Sequence, residues 1–422
     1  MSLAVEPLWS AVPDVDFASR LARLRASRRP DGYALQDRLS ALNDLSDLLL
    51  APAGAELRRS LPVDGLAFLS AFLRESNLRH MIEREIPQPG ALDGFLAVGP
   101  RKSLRLLPKG VVCHWVAGNV PLLAVFSWAL SAAVGNSNVI RLSSRQGDVM
   151  SPLLRALSGR SEVGRRMAGD TLVVSFDLTD EMAHHQMSQA ADVRIAWGGR
   201  DAVDAIRGLP TRWDCEDVVF GPRSSMAVID PGVITPGGVT RLATDIVIFD
   251  QLACSSPQVV FLKGRPGEAA FDGFLDRFQT AFAKQSAGFP RHRLDFSETY
   301  RIALDRSRAI LAGGSILRDD GTQWTVAVLT APVDAIGCAN RFVQVVPYTT
   351  QDEILAYIPE NAQTCVVQLP GDELASFTEQ AAWRGVCRFP NPGEGNHFEN
   401  PWDGIGLVSR LVKFVVRSER GR

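Results

Sequence analysis

The sequence predicts an α/β protein in which parallel sheet is joined by crossover helices. Short β-branched runs alternate with segments of helical period, and alternation of that kind favours βαβ units. The length of 422 residues and hydrophobic content of 46% suffice for two or three domain-sized cores. Several strand-like runs also close on glycine or proline turns, as strand-to-helix connections do.

In chain order, residues near 14–85 read as helical, with Leu39, Leu42, Leu45, Leu48 and Leu49 forming one apolar stripe. Strands are expected at 110–115, 139–142, 171–174, 193–197 and 226–229. A helix is expected from about Pro121 to Val134, with proline near its first turn. Another should cover Asp201–Gly208. The Pro/Gly stretch from Pro231 to Gly238 suggests a domain boundary. A second α/β set follows, with strands at 258–262, 326–329, 342–346 and 365–368. The tail Leu411–Val416 reads as a strand with little room to pair inside a finished domain. The expected organisation is residues 1–235 for N-terminal helices and a dinucleotide domain, 236–395 for a catalytic domain, and 396–422 for an oligomerisation tail.

Composition narrows the function. Net charge is −2 with Lys+Arg and Asp+Glu nearly balanced, which argues against a nucleic-acid binder. Six cysteines stand far apart without a C-x-x-C pair, so neither a disulfide framework nor a structural zinc site is expected. The first thirty residues carry Glu6, Asp14, Asp16 and many arginines, unlike a signal peptide. The apolar run from Val111 to Val134 is broken by His114, Gly118, Asn119 and Pro121, and makes a poor membrane span. A soluble cytoplasmic α/β enzyme is the expectation.

Cys254 is the most informative residue. It lies between a helical segment marked by Leu242, Ile246 and Phe249 and the strand at 258–262. Such a connection can present a side chain to a cleft, and a thiolate there is a competent acyl nucleophile. Local context leaves a second reading open, that of a small buried hydrophobe. The segment His114-Trp115-Val116-Ala117-Gly118-Asn119-Val120-Pro121 carries a strand into a helix. Its amides and glycine suit a dinucleotide's phosphates, and Asn119 could aim an N–H at a developing oxyanion. An ordinary Asn–Val–Pro turn is the alternative. Trp197-Gly198-Gly199 closes another strand, without the full G-x-G-x-x-G spacing.

Taken in order, the His114–Pro121 segment, the run from Gly135 to Ser144, Ile195–Gly199 and the Cys254 segment resemble the LuxC-type acyl-CoA reductases of the aldehyde dehydrogenase superfamily. The resemblance covers roughly residues 100–405. It implies an aldehyde dehydrogenase-like fold, with a Rossmann-type cofactor domain and an α/β catalytic domain. It also implies roles for individual residues. Cys254 matches the acylated nucleophile, and Asn119 matches the side-chain donor of the oxyanion hole. Arg141, Ser143, Trp197, Gly198 and Gly199 fall in the cofactor-binding segments. Arg141 stands where many relatives place a lysine near the adenosine ribose; an arginine could pair with a 2′-phosphate, so NADPH is expected. Phe342–Pro347 resembles the later Glu-x-Phe segment, and Pro401-Trp402-Asp403-Gly404 the closing aromatic turn.

Two departures sharpen the reading. Val219 falls where hydrolytic aldehyde dehydrogenases carry a glutamate base, although Glu216 lies close enough for a shifted alignment to restore one. Without a water-activating base, exchange with a thiol is favoured over hydrolysis. Asn340 also stands where a carboxylate for the nicotinamide ribose is usual. The implied reaction is attack of Cys254 on a fatty acyl-CoA or carrier-protein thioester, then reduction to the aldehyde. The implied partners include an acyl-protein synthetase and further copies of the chain. Alternatives are an aldehyde dehydrogenase forming acid, an acyl phosphate reductase, or a non-catalytic scaffold.

Other residues are expected to be structural. His184 and His185 are adjacent, do not share a helix face, and read as solvated rather than metal-binding. His114, beside a strand end, reads as a packed or hydrogen-bonded core histidine, with electrostatic tuning of the site as the lesser alternative. Cys113, Cys215, Cys338, Cys365 and Cys387 read as structural. The arginines from Arg20 to Arg29 read as a solvated helical face, with docking of a carrier protein or CoA phosphates as the lesser alternative.

Overall fold

A computed structural model describes residues 9–10, 17–26, 32–61, 63, 65–143, 147–289, 291, 294–334 and 340–418. Glu6, Asp14, Asp16, Arg28, Arg29, Ser144 and Cys338 lie outside the described residues. The chain divides into two units, one of Met1–Gly221 with Phe398–Arg422 and one of Pro222–His397.

The first unit opens with strand β1 (Trp9–Ser10) and helices α1 (Phe17–Ala26), α2 (Leu35–Leu50), α3 (Ala55–Ser60), α4 (Leu66–Leu73) and α5 (Glu75–Glu85). Helix α2 buries Leu35, Leu39, Leu42, Leu45 and Leu49 along one stripe, as its three-and-four spacing requires. Strands β2 (Leu96–Gly99), β3 (Lys102–Pro108) and β4 (Val111–Trp115) lead to α6 (Leu123–Ala133). This helix starts two residues after Pro121 and is buried on nearly every side. Next come β5 (Ser137–Arg141), α7 (Met150–Ser158), α8 (Glu162–Gly169), β6 (Thr171–Val174), α9 (Glu181–Ala190), β7 (Val193–Trp197), α10 (Arg200–Arg207) and β8 (Glu216–Phe220).

The main sheet of this unit has the order β1-β6-β5-β4-β7-β8, with every pair parallel. Its central strands are buried on both faces, hence valine, isoleucine and tryptophan along them without a strict apolar–polar alternation. Chain order reverses between β4 and β7. The loops leaving the carboxyl ends of these two strands therefore flank a topological switch point, where open α/β sheets bind ligands.

The second unit contains β9 (Ser224–Ile229), α11 (Pro236–Val247), β10 (Val259–Lys263), α12 (Ala269–Gly288), α13 (Phe296–Leu311), β11 (Ser315–Arg318), β12 (Thr325–Val328), β13 (Phe342–Tyr348), α14 (Gln351–Tyr357), β14 (Ala362–Gln368) and α15 (Gly371–Trp383). Its sheet runs β11-β12-β13-β10-β9-β14, parallel except for β11 against β12. One face packs on α11 and α12 through Leu242, Ile246, Phe274 and Phe278. The other packs on Ile302, Ile354 and Phe377. Because β9 is integral to this sheet, Pro231–Gly238 lies inside the unit. It forms the turn into α11, where Thr235 caps the helix and Pro236 starts it.

The chain then returns to the first unit with α16 (Leu407–Arg410) and β15 (Val412–Ser418). The tail is a strand, as its pattern predicts, but it does have room to pair: β15 runs antiparallel to β3 over seven residues, with β2 on the far side of β3. The partner strands are hard to read in the sequence because Lys102, Arg105 and Gly99 hide their alternation. Among the described residues, no helix is long and apolar enough to cross a membrane.

Candidate active site

In the first unit, the residues singled out in the sequence gather at the carboxyl ends of β4, β5 and β7. Asn119 is exposed in the turn at 118–119 that follows β4. Arg141 ends β5 and Ser143, half-buried, follows it. Trp197 ends β7, Gly198 follows, and Gly199 caps α10. A Cβ on Gly198 would come within 3.2 Å of the Ala202 Cβ, so this glycine lets α10 start close to the strand. A Cβ on Gly199 would meet nothing within 4 Å, leaving open space before the amides of the first helical turn.

Arg141 is 6% exposed, and its Nη2 donates to the Phe176 carbonyl at 2.9 Å. Its Nε is buried and has no hydrogen-bond partner among the described residues. Burial lowers the guanidinium pKa and Asp177 opposes the shift, yet an arginine so placed keeps its charge. An orphaned donor on a buried cation at the end of β5, and open space at the start of α10 on the other side of β4, each fit a phosphate-bearing dinucleotide. Arg141 and the amides of the Gly199 turn would hold such a group; when bound, it supplies a hydride.

Trp197 is buried, with its ring stacked on Phe220 at 3.7 Å and its indole N–H donated to Ser127 Oγ at 3.2 Å. Ser127 Oγ also meets His114 Nδ1 at 2.8 Å, while His114 Nε2 meets Asn138 Oδ1 at 3.0 Å. The amide oxygen only accepts, so Nε2 carries the proton and Nδ1 accepts from the serine hydroxyl. His114 is thus the hydrogen-bonded core histidine its position suggested. Burial lowers its pKa to about 4, against an opposing contribution from Asn138. Between pH 4 and 6.5 the unfolded chain binds the extra proton and the folded chain does not. Stability should therefore rise with pH across this window and be fully regained above 6.5, a change of about 3 kcal/mol from this group. Urea midpoints measured from pH 4 to 7.5 should show that slope, and it should flatten in His114→Asn.

His184 departs from expectation. It is 7% exposed rather than solvated, because α9 turns it inward, where Trp115 Nε1 donates to its Nδ1 at 3.1 Å. Its neighbour His185 is exposed. Glu216 is also committed. Burial favours its neutral form, but bonds from Arg410 at 2.8 Å and Lys109 at 2.9 Å outweigh that and hold its pKa below the usual value. Such an ion-paired carboxylate is a poor candidate for a water-activating base. Val219, at the position of the usual base, pairs with Ala196 in the sheet.

Cys254 belongs to the second unit, at the amino end of its sheet. Helix α11 stops at Val247, before Phe249. Phe249, Asp250 and Gln251 then take three successive left-handed conformations, with φ of 54°, 53° and 62°. Non-glycine residues hold such a run only where side chains fix it. Asp250 lies 2.7 Å from Arg341 Nε, and the other nitrogens of Arg341 donate to the carbonyls of Ser286 and Phe289. Gln251 Nε2 reaches the Pro257 carbonyl at 2.8 Å. Ser225 Oγ donates to the Cys254 carbonyl at 2.6 Å, and Asn396 Oδ1 accepts from the hydroxyls of Ser255 and Ser256. Cys254 itself is half-buried in this pinned loop.

Cys113 and Cys365 are fully buried, and burial pushes their thiols upward in pKa, as structural cysteines require. Cys215 is half-buried, whereas Cys387 is exposed and is not a core residue. Sequence reasoning missed Asp250, Arg341 and Asn396. Asn340 and Arg341 signalled only a missing carboxylate, yet both are buried at left-handed φ, and Arg341 anchors the cysteine loop. Among the described residues, no cluster of His, Cys, Asp or Glu could hold a metal ion.

The fold is that of the aldehyde dehydrogenases. Solved structures similar to this chain include a protein described as a methylmalonate-semialdehyde dehydrogenase of Sinorhizobium meliloti 1021, complexed with NAD. It has a TM-score of 0.70 and 15% identity, over 98% of this chain and 91% of that one. Aldehyde dehydrogenase 21 of Physcomitrella patens has a TM-score of 0.69 and 14% identity, over 96% and 90%. Residues 49–414 match the family described as acyl-CoA reductase (LuxC), and the chain belongs to that family. A similar curated relative is a long-chain acyl-protein thioester reductase of Photorhabdus luminescens. The two are 26% identical over 357 residues, covering 81% of this chain and 68% of the relative. The chain is thus an oxidoreductase acting on acyl groups.

Proposed function

We propose that the protein reduces a long-chain acyl thioester, carried on CoA or on a protein, to the aldehyde, with NADPH as the reductant and Cys254 as the acylated nucleophile. The observation that carries this reading is the cysteine loop. Cys254 is partly accessible on a strained, hydrogen-bonded connection, whereas Cys113 and Cys365 are sealed in cores. The Cys254 thiolate attacks the thioester carbonyl and the donor thiolate leaves, so that one thioester replaces another. The Asn119 amide and the Cys254 N–H stabilise the oxygen as it gains charge. The committed state of Glu216 and the presence of Val219 disfavour water attack, so the acyl group survives until it is reduced.

In this reading the first unit carries the cofactor and the second the nucleophile. Arg141 recognises a ribose phosphate, Ser143 assists there, and the Gly198–Gly199 turn receives the pyrophosphate while Trp197 supports it from beneath. The three-stranded sheet containing β15 mediates a homo-oligomer through the exposed Phe414 and Val416. The described cysteines are free, which suits a reducing cytoplasm. An acyl-protein synthetase is the partner that would supply a protein-borne acyl group.

The test is to mix purified protein with long-chain acyl-CoA and either NADPH or NADH, and quantify aldehyde, free CoA and oxidised cofactor together. Equal amounts of all three, with NADPH preferred, are expected. Arg141→Ala should narrow the NADPH-to-NADH preference in kcat/KM by about tenfold or more. Formation of fatty acid in place of aldehyde would overturn the reading.

A further inference from the structure

The reading of Cys254 as nucleophile leaves a buried carboxyl group unexplained. Asp245 lies in the last turn of α11 and is 2% exposed. It has no cationic side chain bonded to it among the described residues. Instead, Oδ2 accepts from the Gly393 amide at 2.6 Å and Oδ1 from the Gly395 amide at 3.2 Å. Both glycines are needed for this approach. A Cβ on Gly395 would stand 3.2 Å from the Asp245 Cγ and 3.1 Å from Val366, and Gly393 has φ of +99° with Arg241 packed against it.

The same loop reaches the cysteine. The Asp245 backbone carbonyl is among those a helix end leaves without an internal partner, and it accepts Asn396 Nδ2 at 2.6 Å. The other end of that amide, Oδ1, accepts from Ser255 Oγ at 2.8 Å and Ser256 Oγ at 3.2 Å. A continuous path thus runs from the carboxylate through the 393–396 backbone to the two residues after Cys254.

We propose that Asp245 is a positioning residue for Cys254: its carboxylate fixes the 393–396 loop, and Asn396 transmits that constraint to Ser255 and Ser256. This rests on the proposed role of Cys254. The charged groups acting on Asp245 are Glu394 in the loop and Arg388 beyond β14, while Arg241 on α11 packs against Gly393 and donates to the Pro392 carbonyl. Burial raises the Asp245 pKa to about 7; the Gly393 and Gly395 amides oppose the rise, Glu394 adds to it and Arg388 counters it. Losing the proton strengthens both amide bonds, so the clamp tightens as pH rises through neutrality. Coupling the nucleophile loop to a group that titrates there makes acylation sensitive to pH beyond the thiol's own ionisation.

The test pairs two readouts from pH 5.5 to 8.5: the single-turnover rate of Cys254 acylation by acyl-CoA, and hydrogen exchange at 393–396 and 254–257, corrected for intrinsic rates. The native protein should show an acid limb near pH 7 in acylation, and loss of exchange protection in both segments below it. In Asp245→Asn the limb near pH 7 should vanish and leave only the rise set by thiol ionisation, protection should be low at every pH, and acylation at pH 8 should fall on the order of 10- to 100-fold. Should that variant not fold, Asn396→Ala keeps the carboxylate but cuts the path. Protection at 393–395 should then still follow pH, while that at 254–257 should not. A uniform drop in rate with unchanged profile shape, or exchange at 254–257 independent of pH in the native protein, would overturn the proposal. If neither acyl-CoA nor a carrier-bound acyl group acylates the native protein, the proposed function fails, while the exchange profiles alone still decide whether Asp245 orders the loop.

Discussion

Replacing Cys254 with alanine is expected to lower acyl-thioester reduction by about 10⁴-fold or more, with NADPH affinity changed less than about twofold. The size follows from the chemistry: without the sulfur there is no covalent intermediate, and no other described residue of the loop offers a thiol. The selectivity follows from the fold. The loop is held by Ser225 on the Cys254 carbonyl, by Asn396 on Ser255 and Ser256, and by Asp250 against Arg341; none of these contacts uses the thiol. The variant should therefore melt within a few degrees of the native protein. Titrating its NADPH fluorescence beside turnover separates lost chemistry from lost structure, and appreciable activity in Cys254→Ala would remove the cysteine from the mechanism.

The second-largest effect is expected at Asn119. Its side chain stands in an exposed turn after β4, so truncation should cost little stability. If the amide donates to the oxyanion, Asn119→Ala should slow acylation by about 10²–10³-fold, as loss of an oxyanion donor does elsewhere. The deficit should appear in kcat and kcat/KM alike, because the interaction strengthens only as charge develops. Rapid-quench measurement of acyl-enzyme formation checks this directly; an effect confined to KM would mean that Asn119 merely binds substrate.

Much of the fold was legible because parallel strands buried on both faces are short segments rich in valine, isoleucine and aromatic residues. Val111–Trp115, Val193–Trp197 and Val259–Lys263 could be found from composition alone. The half-exposed strands were not, since Leu96–Gly99 and Lys102–Pro108 mix charge, glycine and apolar residues on a sheet open to solvent. Missing them made the C-terminal strand look unpaired. Cys254 and Asn119 stand out in the sequence because each sits in a short, unusual connection. Asp250, Arg341 and Asn396 do not, because their value lies in contacts between segments far apart in sequence. His184 was misjudged for a related reason: adjacency to His185 says nothing about which of the two a helix turns toward Trp115.

Intact-protein mass spectrometry after mixing with long-chain acyl-CoAs, first without and then with NADPH, tests the central claim most directly. The account predicts a single hydroxylamine-labile acyl adduct on Cys254 that disappears on adding NADPH, with release of the matching aldehyde. Absence of an adduct with every acyl-CoA and every carrier-bound acyl donor, or an adduct that yields acid rather than aldehyde, would contradict it.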